Sequence, residues 1–466
     1  MSQAQYTSVL IVAVLGLLAL FPWAVAFHRA HVFGDWDLTA TLILVVGVLA
    51  NAEAAAYIIG SGRTERLDPQ GRTVIGFPAW VNRIDMVANG LILVACVLFV
   101  LYRLLIARAR INTAPLIAAV LVLTLGASDA LHGQPLWGPR QLTLLMALFA
   151  AAVGRPGRSA FLGGTAVAMV YTVISGIEAL VAPTSVVRPC RADNACNVLG
   201  VHYAGVFSNE NIFALLLLVC VPFAWLGLRG GVRIVLACYL AFLALVTGSV
   251  LAGTAAVATV ILLALLRPKL ADEELPGTRP VTPGRRFIGV SAVLSAVAIG
   301  VVVPLRHADF GDLRLRAAIW DMAKEEWTRS PLLGYGGKAW SAKYEQGAIP
   351  AAVSPSLHNE WIDVLYAGGI VGVALFALLL GYLLFRDGPR RLPAAACVLL
   401  PVLLGSVLER PWSFGISNSL TFALLVTTLM PIGARPVVTP EPLVTPEPLG
   451  EGRSEPAGVR SGDSLS

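Results

Sequence analysis

Runs of about twenty apolar residues recur along nearly the whole of this 466-residue chain, separated by short polar stretches. Wound as a helix, each run is long enough to cross a hydrocarbon core of roughly 30 Å. Backbone groups in lipid must be satisfied within their own segment, so continuous apolar runs predict helices rather than strands. The pattern places spans at 6–26, 38–59, 82–102, 114–131, 138–153, 160–182, 205–227, 231–248, 250–266, 287–305, 361–384, 392–408 and 417–432. The fifth is short and the second carries Asn51 and Glu53, which sets the expected fold as an all-α polytopic transmembrane helix bundle of about 12–13 helices. Residues 6–26 show no small-residue cleavage pattern behind a basic start, so they read as the first helix rather than as a signal peptide.

Composition supports this pattern: 57% of residues are hydrophobic and 13% charged, and mean hydropathy is +0.76. That excludes an ordinary soluble domain. The formal charge of +6 is scattered in small clusters between spans and forms no continuous patch, so nucleic acid is not an expected partner. The clusters at 103–110, 154–158, 229–233, 267–286 and 386–391 fall at alternate span boundaries and are therefore expected in the cytoplasm. Arg63, Arg66 and Arg72 run against this count, in a loop placed outside. The expected localisation is the plasma membrane, multi-pass, with a bundle over 1–432 and the long segment 306–360 external. The Pro-rich tail 433–466, which repeats "VTPEPL", is expected to be cytoplasmic and disordered.

Cysteine usage follows the same division. Cys96, Cys220, Cys238 and Cys397 lie in spans and read as small apolar residues. Cys190 and Cys196 share the external loop "RPCRADNAC", in an oxidising compartment, and are expected to form a disulfide.

The external segment holds the candidate chemistry. From Asp312 as N-cap to Pro331 as stop, Trp320, Ala323 and Trp327 recur at helical spacing, predicting an amphipathic helix along the membrane surface. Arg316 stands one turn before Trp320 on the same face, whereas Arg314 is rotated toward the side of Asp321 and Glu325. An arginine among tryptophans calls for an anion, and phosphate fits its planar fork; the plainer alternative is a snorkelling side chain or a pairing with Glu360. "GYGG" (334–337) reads as a turn whose amides could also face an anion. His358 is both external and at the start of a span, where a histidine can take a proton from a hydroxyl, oriented by Asn359 or Glu360. An interfacial histidine satisfied by its own loop is the alternative. Ser208, Asn209, Glu210 and Asn211 at the mouth of one span, the turn "VTGS" (246–249) and "ERPWSFGISN" (409–418) gather further polar groups on that side.

Four of these stretches, in order, resemble the O-antigen ligase and O-antigen polymerase family of bacterial membrane glycosyltransferases. "GVFSNENIFA" is similar to the family's Gly-x-Phe-x-Asn-x-Asn helix start, and "LVTGS" to its Leu-Thr-Gly-Ser turn. "RAAIWDMAKEEWTRSPLLGYG" resembles its Arg-x-x-x-Trp helix followed by Pro-Leu-Leu-Gly-x-Gly, and "SLHNEWIDVLYAGGIVGVALF" its Ser-x-His-Asn stretch leading into Gly-x-x-Gly. The resemblance covers about residues 200–430. It implies transfer of a glycan from a polyprenyl diphosphate carrier to a glycan, lipid or protein acceptor at the outer face of the membrane. His358 would be the base or acceptor-orienting residue and Arg316 a diphosphate ligand, with Asn211, Asn359 and Glu360 lining the site. Many members place an arginine directly after the Thr-Gly-Ser turn, where this chain has Val250; either Arg410 or Arg314 substitutes, or the donor differs.

The physical logic is independent of the family: fixed cations stabilise a departing diphosphate where water is excluded, and a base opposite activates the incoming hydroxyl. No Asp-x-Asp or His-rich pattern faces the external side, so the expected chemistry is metal-independent and needs no cofactor. The competing reading is a transporter or flippase of lipid-linked glycans. It predicts charges along the full depth of a path and paired repeats, whereas polarity here concentrates at the external ends of the spans. A structural scaffold would leave His358 and Arg316 without a role.

Overall fold

In a computed structural model of the chain the described residues are 2–63, 78–188, 200–270, 281–306, 313–349 and 356–430, together with the backbone of the short pairs 66–67 and 73–74. Residues 2–430 belong to one compact unit; the tail 433–466, and with it the expected disorder there, lies outside the described residues. Cys190 and Cys196 also lie outside them, as does the N-cap Asp312.

The fold is an all-helical bundle with two minor β-ladders of two-residue strands. Its helices are α1 (Gln3–Leu18), α2 (Leu20–Val32), α3 (Leu38–Leu49), α4 (Ala52–Ser61), α5 (Ala79–Leu101) and α6 (Thr113–Leu131). They continue as α7 (Pro139–Val153), α8 (Arg158–Val181), α9 (Glu210–Gly227), α10 (Val232–Val246), α11 (Val250–Leu266) and α12 (Pro283–Val302). The last are α13 (Leu313–Trp327), α14 (Ala339–Glu345), α15 (Glu360–Phe385), α16 (Leu392–Gly405) and α17 (Thr421–Thr428). Among the described residues seven segments are long and apolar enough to cross a membrane, α1 and α2 counting as one. The bent pair α3–α4 makes an eighth, and α7, α10, α11 and α16 are shorter apolar helices.

Two expected spans take a different form. The span at 38–59 breaks by 43°, and the cause is Asn51, whose amide donates to the Gly47 carbonyl (2.8 Å) and to Ser419 O (3.0 Å). The span at 417–432 is reduced to α17, eight residues and so about 12 Å long, too short to cross. Residues 406–420 run instead as irregular backbone through the protein interior, with Trp412 and Phe414 buried. Pro411, Gly415 and the polar Ser417-Asn418-Ser419 interrupt helix here, and Asn418 caps the return by accepting from Leu420 N (2.9 Å). Non-helical backbone of this kind is tolerated at membrane depth only inside protein.

The connections sort into two ends. At one, Arg103 donates to Val153 O (2.9 Å), Arg229 grips Asp35 with two bonds (2.7 and 2.8 Å), Arg386 reaches Thr428 O (3.1 Å) and Arg391 reaches Lys269 O (3.1 Å). This basic end gathers the described parts of all five basic clusters. At the opposite end, Gln5 bonds Gly200 O (2.8 Å), and Arg63 donates to the carbonyls of Ser185, Gly205, Phe207 and Ser208 at 2.8–3.0 Å. Arg63 is thus spent on loop carbonyls, which is why it does not sort with the other arginines.

Segment 313–349 builds a small core of its own above the bundle. Ile319, Trp320 and Ala323 of α13 pack with Trp340 of α14 and with Ile362 and Tyr366 of α15, and the Trp320 indole N–H donates to Leu357 O (2.7 Å). The apolar face of α13, which the sequence reads as packing toward the bundle, is covered by protein. Beyond it, residues 331–336 form a strap that enters a break in α15 at Gly369 (φ 60°). Tyr335 N and Gly336 N donate to the Tyr366 and Ala367 carbonyls (2.9 and 2.8 Å), while Ile370 N and Val371 N donate to the Pro331 and Leu332 carbonyls (2.9 and 3.2 Å). Four backbone groups that a broken helix leaves orphaned are satisfied this way. A Cβ on Gly369 would stand 2.3 Å from Leu332 O, and one on Gly334 2.3 Å from Tyr366 O, so both positions require glycine.

Candidate functional site

The start of α15 positions the site. Asn359 is its N-cap, accepting from Ile362 N (2.9 Å), and its amide donates to Gly300 O (3.1 Å) and Val407 O (2.9 Å), tying α12 and α16 to α15. The buried carboxylate of Glu360 accepts from Trp412 N (3.0 Å) and Ser413 N (3.1 Å), which pins the irregular 406–420 segment. Both residues, expected to line a substrate site, spend these polar atoms on backbone and build its frame.

Held between them and the preceding loop, His358 adopts a left-handed backbone (φ 49°), a conformation that costs a non-glycine residue of order 1–3 kcal/mol and persists only where the surroundings impose it. Its Nδ1 lies 3.1 Å from Oε2 of Glu409, a residue 51 positions later that follows α16. The other oxygen of that carboxylate, Oε1, accepts from Arg316 Nη2 (3.3 Å) and from Asn211 Nδ2 (3.4 Å). One carboxylate thus joins three of the residues that the sequence singles out, from α9, α13 and the loop before α15. Glu409 itself was not among them, although "ERPWSFGISN" was marked as polar and Arg410 was chosen from it. The available signal was a lone carboxylate between an apolar helix and Arg-Pro.

The electrostatics fit a working ion cluster. Burial by itself would push the Glu409 carboxyl up, but His358, then Arg316 and Arg410, outweigh it and hold the carboxyl below its ordinary value. Arg316 donates from Nη1 to Leu408 O and from Nη2 to Glu409, and its remaining N–H groups bond to no described residue. A partly exposed guanidinium with donors to spare is equipped to take an anion.

Elements around the cluster are fixed in turn. Asn209 caps α9 by accepting from Ile212 N (2.9 Å), Glu210 pairs with Arg188 (2.9 Å), and the Arg63 clamp holds the turn that leads into them. Asn211 is thereby aimed at Glu409. Arg410, the first candidate to replace the arginine absent at Val250, is paired with Asp363 (2.7 Å) next to Glu409. Arg314, the second candidate, has its side chain outside the described residues. Val250 itself is 78% exposed at the start of α11. The tight turn before it packs elsewhere, with Thr247 O accepting from Tyr203 N (3.0 Å).

Two comparisons bear on these residues. Residues 212–377 match the family model described as O-Antigen ligase, a window that contains Arg316, His358, Asn359 and Glu360 and closes before Glu409. No curated protein matches the chain.

Proposed function

We propose that the chain, whose residues 212–377 match the family model described as O-Antigen ligase, is an O-antigen ligase-like membrane glycosyltransferase that transfers a glycan from a polyprenyl diphosphate carrier to an acceptor hydroxyl at the outer face of the plasma membrane. In this reading the acceptor is a glycan, a lipid or a protein. The His358 end faces outward, and the basic end and the C-terminal tail face the cytoplasm. The observation that supports the reading best is the carboxylate of Glu409 held by His358, Arg316 and Asn211.

The reaction proceeds by attack of the acceptor oxygen on the anomeric carbon. The bond from that carbon to the diphosphate oxygen breaks, and the diphosphate leaves on its lipid. The hydroxyl proton passes to His358. The Glu409 carboxylate at Nδ1 orients the His358 ring and stabilises the imidazolium that forms. Arg316 meets the charge developing on the leaving diphosphate, and Arg410 stands beside it as the substitute for the cation absent at Val250. The chemistry proposed is metal-independent, the cationic side chains supplying the charge stabilisation. Polar groups gathered at one end of the bundle favour this reading over a flippase, which needs them along its depth.

The test is mass spectrometry of the polyprenyl-linked glycan pool in cells lacking the protein, complemented with wild type, His358→Ala or Arg316→Lys. Expected is accumulation in the null and with His358→Ala, clearance with wild type, and poor rescue by Arg316→Lys, since lysine cannot make the bidentate contact. Loss of a general base lowers such a rate by roughly 10²–10⁴-fold. If His358→Ala clears the pool as wild type does, the assignment of His358 is wrong.

A further inference from the structure

The sequence reads 361–384 as one straight span, and the structure folds it. In a straight helix Trp361 and Phe376 would stand about 22 Å apart along the axis, yet their ring centroids are 4.8 Å apart. Val364 and Gly372 would be separated by about 12 Å, yet a Cβ on Gly372 would stand 3.1 Å from Val364 O. α15 therefore turns sharply at Gly369, and its first half, 360–368, runs across the bundle instead of along it.

Helix lengths give the depth of this turn. At the basic end α6 begins after Arg110, α15 finishes before Arg386 and α16 begins after Arg391. From there Gly369 lies about 24 Å up α15, and Ser128, which donates to Gly334 O (3.0 Å), about 22 Å up α6. Ser406, whose carbonyl accepts from Glu360 N (3.1 Å), lies about 21 Å beyond Leu392. Both ends of the turned half-helix, and the strap 331–336 bonded to it, thus sit at one level, and any tilt of the helices only lowers it. A hydrocarbon core of roughly 30 Å reaches past that level.

The side chains of the strap suit that depth. Leu332 is 64% exposed and Leu333 36%, and on α15 beside them Ile370 is 52% and Val371 39% exposed. The bonds from Ile370 N and Val371 N to Pro331 O and Leu332 O bring these residues together as one apolar surface, continuous with the lipid-facing side of a spanning helix. Just before it the character changes: Thr328 and Arg329 are exposed, and the Trp327 indole donates to Pro331 O (3.2 Å), as an interfacial anchor does. The amides of Leu332 and Leu333 bond to no described residue, which sets the strap backbone at the wet edge of the hydrocarbon rather than at its centre.

We propose that the strap is a re-entrant element, with Leu332 and Leu333 seated among the acyl chains of the leaflet away from the basic end, where they hold the turn of α15 at membrane depth. The long segment that the sequence reads as external thereby returns to the bilayer between α13 and α14. The proposal is independent of the chemistry assigned to His358.

The experiment uses the purified full-length chain carrying Cys238→Ala, which removes an exposed thiol, reconstituted in phosphatidylcholine vesicles. A nitroxide label is attached at Leu332→Cys or at Gln346→Cys, an exposed position beyond α14, and the signal of the Cys238→Ala parent is subtracted. Collisions with oxygen, which collects in hydrocarbon, are compared with collisions with a water-soluble nickel chelate. Expected is greater access to oxygen than to the chelate at position 332 and the reverse at 346. Greater access to the chelate at 332 would put the strap in water and overturn the proposal. Poor access to both would mean that a second copy of the chain covers the surface, and would overturn lipid as its occupant. A charged maleimide gives a second readout: it should label Leu332→Cys at least about tenfold more slowly than Gln346→Cys, because the thiolate that reacts is costly in hydrocarbon. Equal labelling rates would likewise overturn the proposal.

Discussion

Glu409 accepts from a histidine, an arginine and an asparagine that arrive from three separate parts of the chain. Its depressed carboxyl value means that it is ionised at neutral pH, as the proposed orientation of His358 requires. Replacing it by glutamine keeps a polar group of similar shape but removes the charge facing His358 and Arg316. We expect Glu409→Gln to lower transfer by at least about tenfold, because the imidazolium formed in the reaction loses its counter-charge. The same substitution reports on stability. A carboxyl with a depressed folded value lends stability that is complete above its ordinary pKa of about 4.3 and is lost as pH falls through the folded value. Wild type should therefore lose thermal stability on acidification below that range more steeply than Glu409→Gln. Parallel acid limbs for the two proteins would show that the carboxylate is not coupled to its neighbours.

Among the elements, α15 and the strap 331–336 depend on each other. The helix breaks where the strap enters, and each supplies the hydrogen-bond partners that the other lacks. The small core of α13 and α14 is anchored by the strap at one end and by Arg316 at the other. The ten residue steps from Arg316 to Glu326 span about 15 Å of helix, and Glu326 in turn accepts from the Tyr366 hydroxyl (3.0 Å) beside the break. Gly369→Ala should therefore be costly well beyond its size, with of order 1–3 kcal/mol from a backbone conformation (φ 60°, ψ −157°) that essentially only glycine adopts and more from the approach of Leu332 O. Gly381, in the same helix with open space around its Cα, provides the control: Gly381→Ala should be neutral or slightly stabilising. Thermal unfolding in detergent distinguishes the two, and equal midpoints would show that the strap does not hold the break.

The whole molecule is polarised. One end is crowded with arginines paired to carbonyls and to Asp35, and the other carries the irregular segments, the strap and the Glu409 cluster. The proposed orientation sets the latter outside. Cysteines introduced at the exposed Gln346 and Pro389 mark the two ends. A membrane-impermeant thiol reagent on intact cells should label Gln346→Cys above the parent protein and leave Pro389→Cys at the parent level. Labelling of Pro389→Cys alone would invert the topology and move the proposed reaction to the other face.

The amino-acid sequence by itself determined the class of fold, the position of most spans and the clustering of arginines at one end. These follow from run length and from the cost of exposing polar groups to lipid, both of which act locally along the chain. It also marked His358, Arg316 and Asn211, because a polar residue at the mouth of an apolar run stands out without any knowledge of its neighbours. What only the tertiary structure decided is which groups meet. Glu409 reaches His358 across 51 positions, Arg63 is spent on four carbonyls of distant loops, and the expected last span gives way to buried irregular backbone that Glu360 pins. Each is a pairing of orphaned polar groups between segments far apart in the chain, and no local period records such a pairing. The glycines of the strap and of α15 are legible as motifs, but their reason is the carbonyl of another segment 2.3 Å from where a Cβ would stand, which only the packed molecule supplies.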